Sequence, residues 1–218
     1  MMKSNTKYIP KLTRKEIEEN HLRFFERKEL YKGKGIDYLR SRNFILEKAS
    51  PMNGDILELG SGTGHTTIAL AKAGYKFISI DRDVGSLRTA ALNVAYEDLL
   101  SHVEFHQMDG TKLDFDEESF DNVIAVNLFH HIENIDGVLA EIDRVLRPLG
   151  KVILADFNQR GMEIVNGVHK DEGHAHEDSG IGREDIGRYF SKLGYYIKNY
   201  DDDYHWLLVA EKGKKSNL

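Results

Sequence analysis

The 218-residue sequence has no cysteine, only three prolines and a single tryptophan. The missing thiols remove structural disulfides, thiolate zinc sites and a cysteine nucleophile together. No run approaches the roughly 20 apolar residues needed to cross a bilayer. Met1 to Pro10 carries lysines with no apolar stretch behind them, so it does not read as a secretory signal, and a cytoplasmic protein is expected. A net charge of −6 argues against a general nucleic-acid binder. That charge is uneven: residues 1–50 hold 13 Lys/Arg against 7 Asp/Glu, and the remainder holds 17 against 29. The basic N-terminal segment reads either as a solvated helical face or as a cationic cap that guides an anionic acceptor.

What is present is organised around Pro51-Met52-Asn53-Gly54, a turn-forming cluster. Before it, Thr13 and Glu16 have capping-box spacing. Ile17, Leu22, Phe24, Phe25 and Leu30 give an imperfect helical stripe, and Ile36 to Lys48 reads as a second helix with Ile36, Leu39 and Leu46 on one face. After it, short apolar strands alternate with amphipathic helices. Strands are expected at 55–59, 76–80, 103–107, 122–126 and 151–155, and helices at 63–73, 86–100, 135–146 and 183–193. Pro148 and Gly150 are read as the stop of the third of these helices. A closing hairpin, 196–200 with 205–210, turns at Asp201–Asp203. The alternation predicts a doubly wound α/β fold: a mostly parallel seven-stranded sheet with an N-terminal helical cap at 1–50. Segment 158–181 is too long for an ordinary connection and is read as a lid-like insertion, with a short helix at 158–168.

The strongest motif is Ile56-Leu57-Glu58-Leu59-Gly60-Ser61-Gly62-Thr63-Gly64. A buried strand runs into alternating glycines and then a helix, so backbone N–H groups can lie against a ligand with no Cβ in the way. Asp81 closes the next strand, where a carboxylate can accept both hydrogen bonds of a ribose diol. Gln107-Met108-Asp109-Gly110 follows the third strand. Phe120 to Ile132 forms the fourth strand and a turn containing His130 and His131, and Leu146-Arg147-Pro148-Leu149-Gly150-Lys151-Val152 leads into the fifth.

Together these stretches resemble class I S-adenosylmethionine-dependent methyltransferases, in the branch of quinone-biosynthesis and other small-molecule enzymes. The resemblance covers about residues 50–157. It departs at Leu149, where the family commonly has glycine. It implies S-adenosylmethionine as cofactor, with Gly60, Gly62 and Gly64 bordering its methionine part and Glu58 holding the amino group or its waters. Asp109 would receive the adenine amine and Met108 would cover the ring. Ser61, Arg82, Gly110 and Asn127 complete the expected cofactor site. His130 and His131 fall beside the expected transfer site and are the candidate catalytic residues, since histidine can act as a base near neutral pH. The acceptor is expected to be a small molecule.

The stretch from His169 to Asp178, with His174 and His176, matches no standard zinc spacing. It stands as a solvated loop or as an acceptor-site lid. The second reading makes His169, His174 and His176 substrate residues, and no metal is expected. Two other functions remain open: a nucleotide-dependent oxidoreductase, disfavoured because His65 breaks the dinucleotide glycine spacing, and a non-catalytic module that binds the cofactor without using it.

Overall fold

A computed structural model describes residues 7–8, 10–171 and 182–213, with only the backbone of Asp171. Two helices come first, α1 (Arg14–Gly33) and α2 (Tyr38–Ala49). The α/β alternation follows: β1 (Ile56–Leu59), α3 (His65–Lys72), β2 (Phe77–Asp81), α4 (Val84–Tyr96), β3 (Val103–Gln107), β4 (Phe120–Val126), α5 (Ile135–Val145) and β5 (Leu146–Phe157). The chain ends with α6 (Gln159–Asp171), α7 (Arg183–Lys192), β6 (Tyr196–Asp201) and β7 (His205–Glu211). The seven strands form one sheet in the order β3-β2-β1-β4-β5-β7-β6. β7 runs antiparallel to both neighbours, and the other adjacent pairs are parallel.

The alternation of side chains across the central strands builds two cores. Leu57, Leu59, Val123, Ala125, Val152 and Leu154 face one layer, and Ile56, Ile124, Ile153 and Ala155 face the other. The first is covered by α5, whose Ile135, Val138, Leu139, Ile142 and Val145 follow helical spacing. The second receives Ile45 and Ala49 of α2 and Leu70 of α3. No helix among the described residues is long and apolar enough to cross a membrane.

Three local expectations are corrected. The segment Leu146–Gly150 does not stop a helix in a loop; it is already strand, with Leu146 opposite Phe120 and Lys151 opposite Asn122. The surplus residues on β5 bulge out, with Leu149 at φ +66°. α2 begins at Tyr38, so Ile36 lies before it, and Leu39 is exposed; the buried face carries Ser41, Arg42, Ile45 and Ala49. On α1, Leu22, Phe25 and Leu30 point to solvent, while Asn20 and Tyr31 are buried. Asn20 reaches the cap's support through a 2.7 Å bond from its Nδ2 to Asn93 Oδ1 on α4. The short helix expected at 158–168 is present as α6, which extends to Asp171. The Thr13–Glu16 capping box is present as expected.

Candidate active site

The carboxyl ends of β1, β2, β3 and β4 open into a cleft of about 760 Å³, roofed by α1, α2 and α6. At its floor the chain leaves β1 through Gly60, Gly62 and Gly64, each at positive φ. The three serve different ends. A Cβ on Gly60 would meet Leu128 at 2.8 Å, and one on Gly64 would meet the Ala90 backbone at 3.1 Å, so these two allow close packing. A Cβ on Gly62 would meet nothing within 4 Å. Gly62 borders the cleft and Gly64 does not, so a side chain at 62 would enter ligand space.

The loop is held by side chains behind it. Gly62 N–H donates to Asp81 Oδ2 at 3.0 Å, and Asp83 N–H to Asp81 Oδ1 at 3.0 Å. Glu58 is buried at 1% exposure, behind the loop and outside the cleft lining. Its Oε2 accepts from Thr67 Oγ1 at 2.8 Å and from Ser79 Oγ at 2.5 Å, and Ser79 in turn touches Ser61 Oγ at 2.7 Å. Burial pushes the Glu58 carboxyl up to about 7, against the pull of those hydrogen bonds and of Arg42.

Ser61, Asp81, Arg82, Met108, Asp109, Gly110 and Asn127 all border the cleft. Asp109 Oδ1 accepts from Thr111 N and Oγ1, both at 2.8 Å, and these bonds hold its carboxyl below the usual range. Asn127 sits at φ +56° just after β4, with its N–H on Ala155 O at 2.8 Å. Its buried Oδ1 has no hydrogen-bond partner among the described residues. Open backbone at Gly62, a carboxylate beyond β2 and an unpaired acceptor at Asn127 fit a ligand with ribose hydroxyls and an ammonium group.

His130 and His131 follow in a short 3-10 turn and border the cleft. His130 is buried, and its Nδ1 lies 2.7 Å from Asp156 Oδ1; His131 is exposed, with its ring centroid 3.9 Å from that of His130. Asp156 also accepts from the backbone N–H of His130 at 3.2 Å and of Phe157 at 2.8 Å, which fixes the carboxylate. His169, on α6, borders the cleft, and its Nε2 lies 3.3 Å from Tyr31 Oη. His174 and His176 lie outside the described residues.

Sequence reasoning offered a cationic cap at 1–50 but named none of its site residues, and it missed the histidine's partner. Arg27, Tyr31, Tyr38 and Arg42 from the cap border the cleft, as does His65 at the start of α3. His65 stacks on Tyr38 at 4.3 Å, and burial, with Arg42, Lys28 and Arg27 nearby, holds its imidazole down at about 3. The basic composition of residues 1–50 carried the reading of a cationic cap, but composition does not single out which arginines and tyrosines face the cleft.

Comparison with known proteins gives a consistent picture. A family model described as a methyltransferase domain matches residues 57–154. The chain is 30% identical over 170 residues to an uncharacterized methyltransferase of Alkaliphilus oremlandii, covering 72% of this chain and 75% of the relative. It is 36% identical over 118 residues to a demethylmenaquinone methyltransferase of Clavibacter sepedonicus, covering 53% of this chain and 46% of the relative. The chain thus spans less than half the length of that relative, and 34% of a yeast sterol 24-C-methyltransferase. Among solved structures, a Haemonchus contortus phosphoethanolamine N-methyltransferase in complex with S-adenosyl-L-methionine aligns at TM-score 0.61 and 18% identity, over 80% of this chain and 53% of that one. The same fold appears in its complex with phosphomonomethylethanolamine and S-adenosylhomocysteine. The chain belongs to the class I S-adenosylmethionine-dependent methyltransferases, with S-adenosylmethionine as its cofactor.

Proposed function

We propose that this protein transfers a methyl group from S-adenosylmethionine to a small-molecule acceptor held between the glycine loop and the cap. The observation that carries the reading is that one cleft is bordered by Gly62, Asp81, Asp109 and His130 together. Gly60, Ser61 and Gly62 would lie along the methionine part, Asp81 would hold the ribose, and Met108, Asp109 and Gly110 would take the adenine. Arg82 borders the ribose end. Asn127 Oδ1 would meet the ammonium. Glu58 and Gly64 support the loop from behind.

The bound cofactor supplies a methyl group that is already electrophilic, so the protein has mainly to align the acceptor. An acceptor that must lose a proton also needs a base. An ionised Asp156 can only accept, so it selects the His130 tautomer with hydrogen on Nδ1 and the lone pair on Nε2. His130 Nε2 would then take the acceptor's proton, and Asp156 would stabilise the resulting imidazolium. His131 borders the same place and is the second candidate for that role. His169, on α6, would lie on the acceptor side. A cap at 1–50 over a domain from 51 onward, a cytoplasmic setting and no nucleic-acid partner belong to the same reading.

Methyl-labelled S-adenosylmethionine incubated with a panel of small quinols, phenols, amines and carboxylates tests it. Labelled product from the wild type and little from His130→Ala is expected. Tight cofactor binding with no product across a broad panel would favour a non-catalytic binding module instead.

A further inference from the structure

Arg42 of α2 is 4% exposed, yet its Nη1 has no hydrogen-bond partner among the described residues. Its Nε donates to Thr66 Oγ1 at 3.1 Å, in the first turn of α3, which fixes the guanidinium beside the helix that the glycine loop opens. The guanidinium carbon lies 5.3 Å from the centroid of the Tyr38 ring, and the residue borders the cleft. A buried cation with an unused donor is unfavourable unless an anion meets it.

The nearby acids are engaged elsewhere. Asp156 accepts from His130, Asp202 accepts from the backbone of Tyr204 and His205, and Glu58 accepts from Thr67 and Ser79. Burial still depresses the Arg42 guanidinium, and Tyr38, Asp202, Asp156 and Glu58 do not fully offset it. His65, held neutral, supplies no negative charge.

We infer that Arg42 anchors a carboxylate subsite at the cap end of the cleft. The planar fork of arginine matches a carboxylate better than a point charge does. Its occupant is either the amino-acid end of the cofactor or an acidic group on the acceptor. The cofactor's amino-acid end also carries an ammonium, for which Asn127 Oδ1 is an unpaired acceptor in the same cleft. The assignment rests on the proposed function.

The test is calorimetry on the full chain, as wild type, Arg42→Gln and Arg42→Lys, with S-adenosylhomocysteine and with 5′-methylthioadenosine, which lacks the amino-acid end. If the cofactor fills the subsite, Arg42→Gln weakens S-adenosylhomocysteine about 10- to 150-fold and leaves 5′-methylthioadenosine unchanged. If the acceptor fills it, both nucleosides bind as before. Benzoate added to the wild type, with and without S-adenosylhomocysteine, then moves the Arg42 side-chain nitrogen resonance and binds Arg42→Gln far more weakly. Should Arg42→Gln fail to fold, that resonance in the wild type decides alone: a shift on adding S-adenosylhomocysteine, absent with 5′-methylthioadenosine, or a shift on adding benzoate supports the subsite. Unchanged affinities together with an unmoved resonance overturn it. A wild type that binds neither nucleoside contradicts the methyltransferase reading instead, and the benzoate titration of the free protein still decides the subsite.

Discussion

Asp156 Oδ1 lies 2.7 Å from His130 Nδ1, although the two residues leave different strands. The parallel register of β4 and β5 sets Val126 opposite Ala155, so the chains emerging from both strands come out side by side. His130→Ala is expected to lower kcat by about 10²- to 10⁴-fold, the usual range for a general base. Asp156→Asn should act in the same direction but less, and Asp156→Glu should recover part of the loss. Cofactor affinity should stay level in all three, and the double variant should be no slower than His130→Ala. Fully additive losses, or a loss confined to cofactor affinity, would show that the pair does not act as a unit.

Asp81→Ala is expected to weaken S-adenosylhomocysteine about 10- to 150-fold, the range for lost hydrogen bonds to a charged group. Asp81 also holds the Gly62 N–H, so Asp81→Asn, which keeps one acceptor, should lose less. Calorimetry with unchanged affinity in Asp81→Ala contradicts the ribose assignment.

Asp109 already uses Oδ1 for both donors of Thr111. An adenine amine must therefore find the other oxygen, which Asp109→Asn replaces with a donor. That variant should lose its preference for the cofactor over an analogue lacking the amine. Equal discrimination by wild type and variant contradicts an Asp109 contact.

These assignments were legible to very different degrees. The glycines at 60, 62 and 64 announce positive φ and a bare backbone, and the strand–turn–helix around them leaves few alternatives. The position of β1 to β5 follows from apolar runs bounded by turn residues. Pro148 and Gly150 misled because their punctuation is equally compatible with a bulge, and only the pairing of Leu146 with Phe120 decides it. Arg42 was invisible because an arginine on a helix reads as solvated, and its burial depends on α2 packing against α3 and β7. Asp156 could be noticed as a carboxylate but not as the partner of His130, since that depends on strand register.

Stability should depend on pH through Glu58. In the fold its carboxyl stays protonated up to about pH 7, against 4.5 for an unperturbed group. Between those values the folded chain keeps a proton that the unfolded chain has lost. Stability therefore falls as pH rises through that window, by on the order of 3 kcal/mol, and then levels off. Glu58→Gln keeps an oxygen for Thr67 and Ser79 but cannot ionise, so its denaturation curves at about pH 5 and about pH 8 should differ much less. An equal pH dependence in wild type and variant contradicts the assignment.

The cleft over Gly62 is the proposed seat of S-adenosylmethionine. Gly62 has φ +49°, and a Cβ there faces open cleft with no atom within 4 Å. The most direct measurement is calorimetric titration of S-adenosylmethionine into wild type and Gly62→Val, with melting temperatures recorded to confirm that both are folded. One binding site per chain is expected in the wild type, and its loss in a folded Gly62→Val. Equal binding by both proteins, or none by the wild type, would contradict that placement.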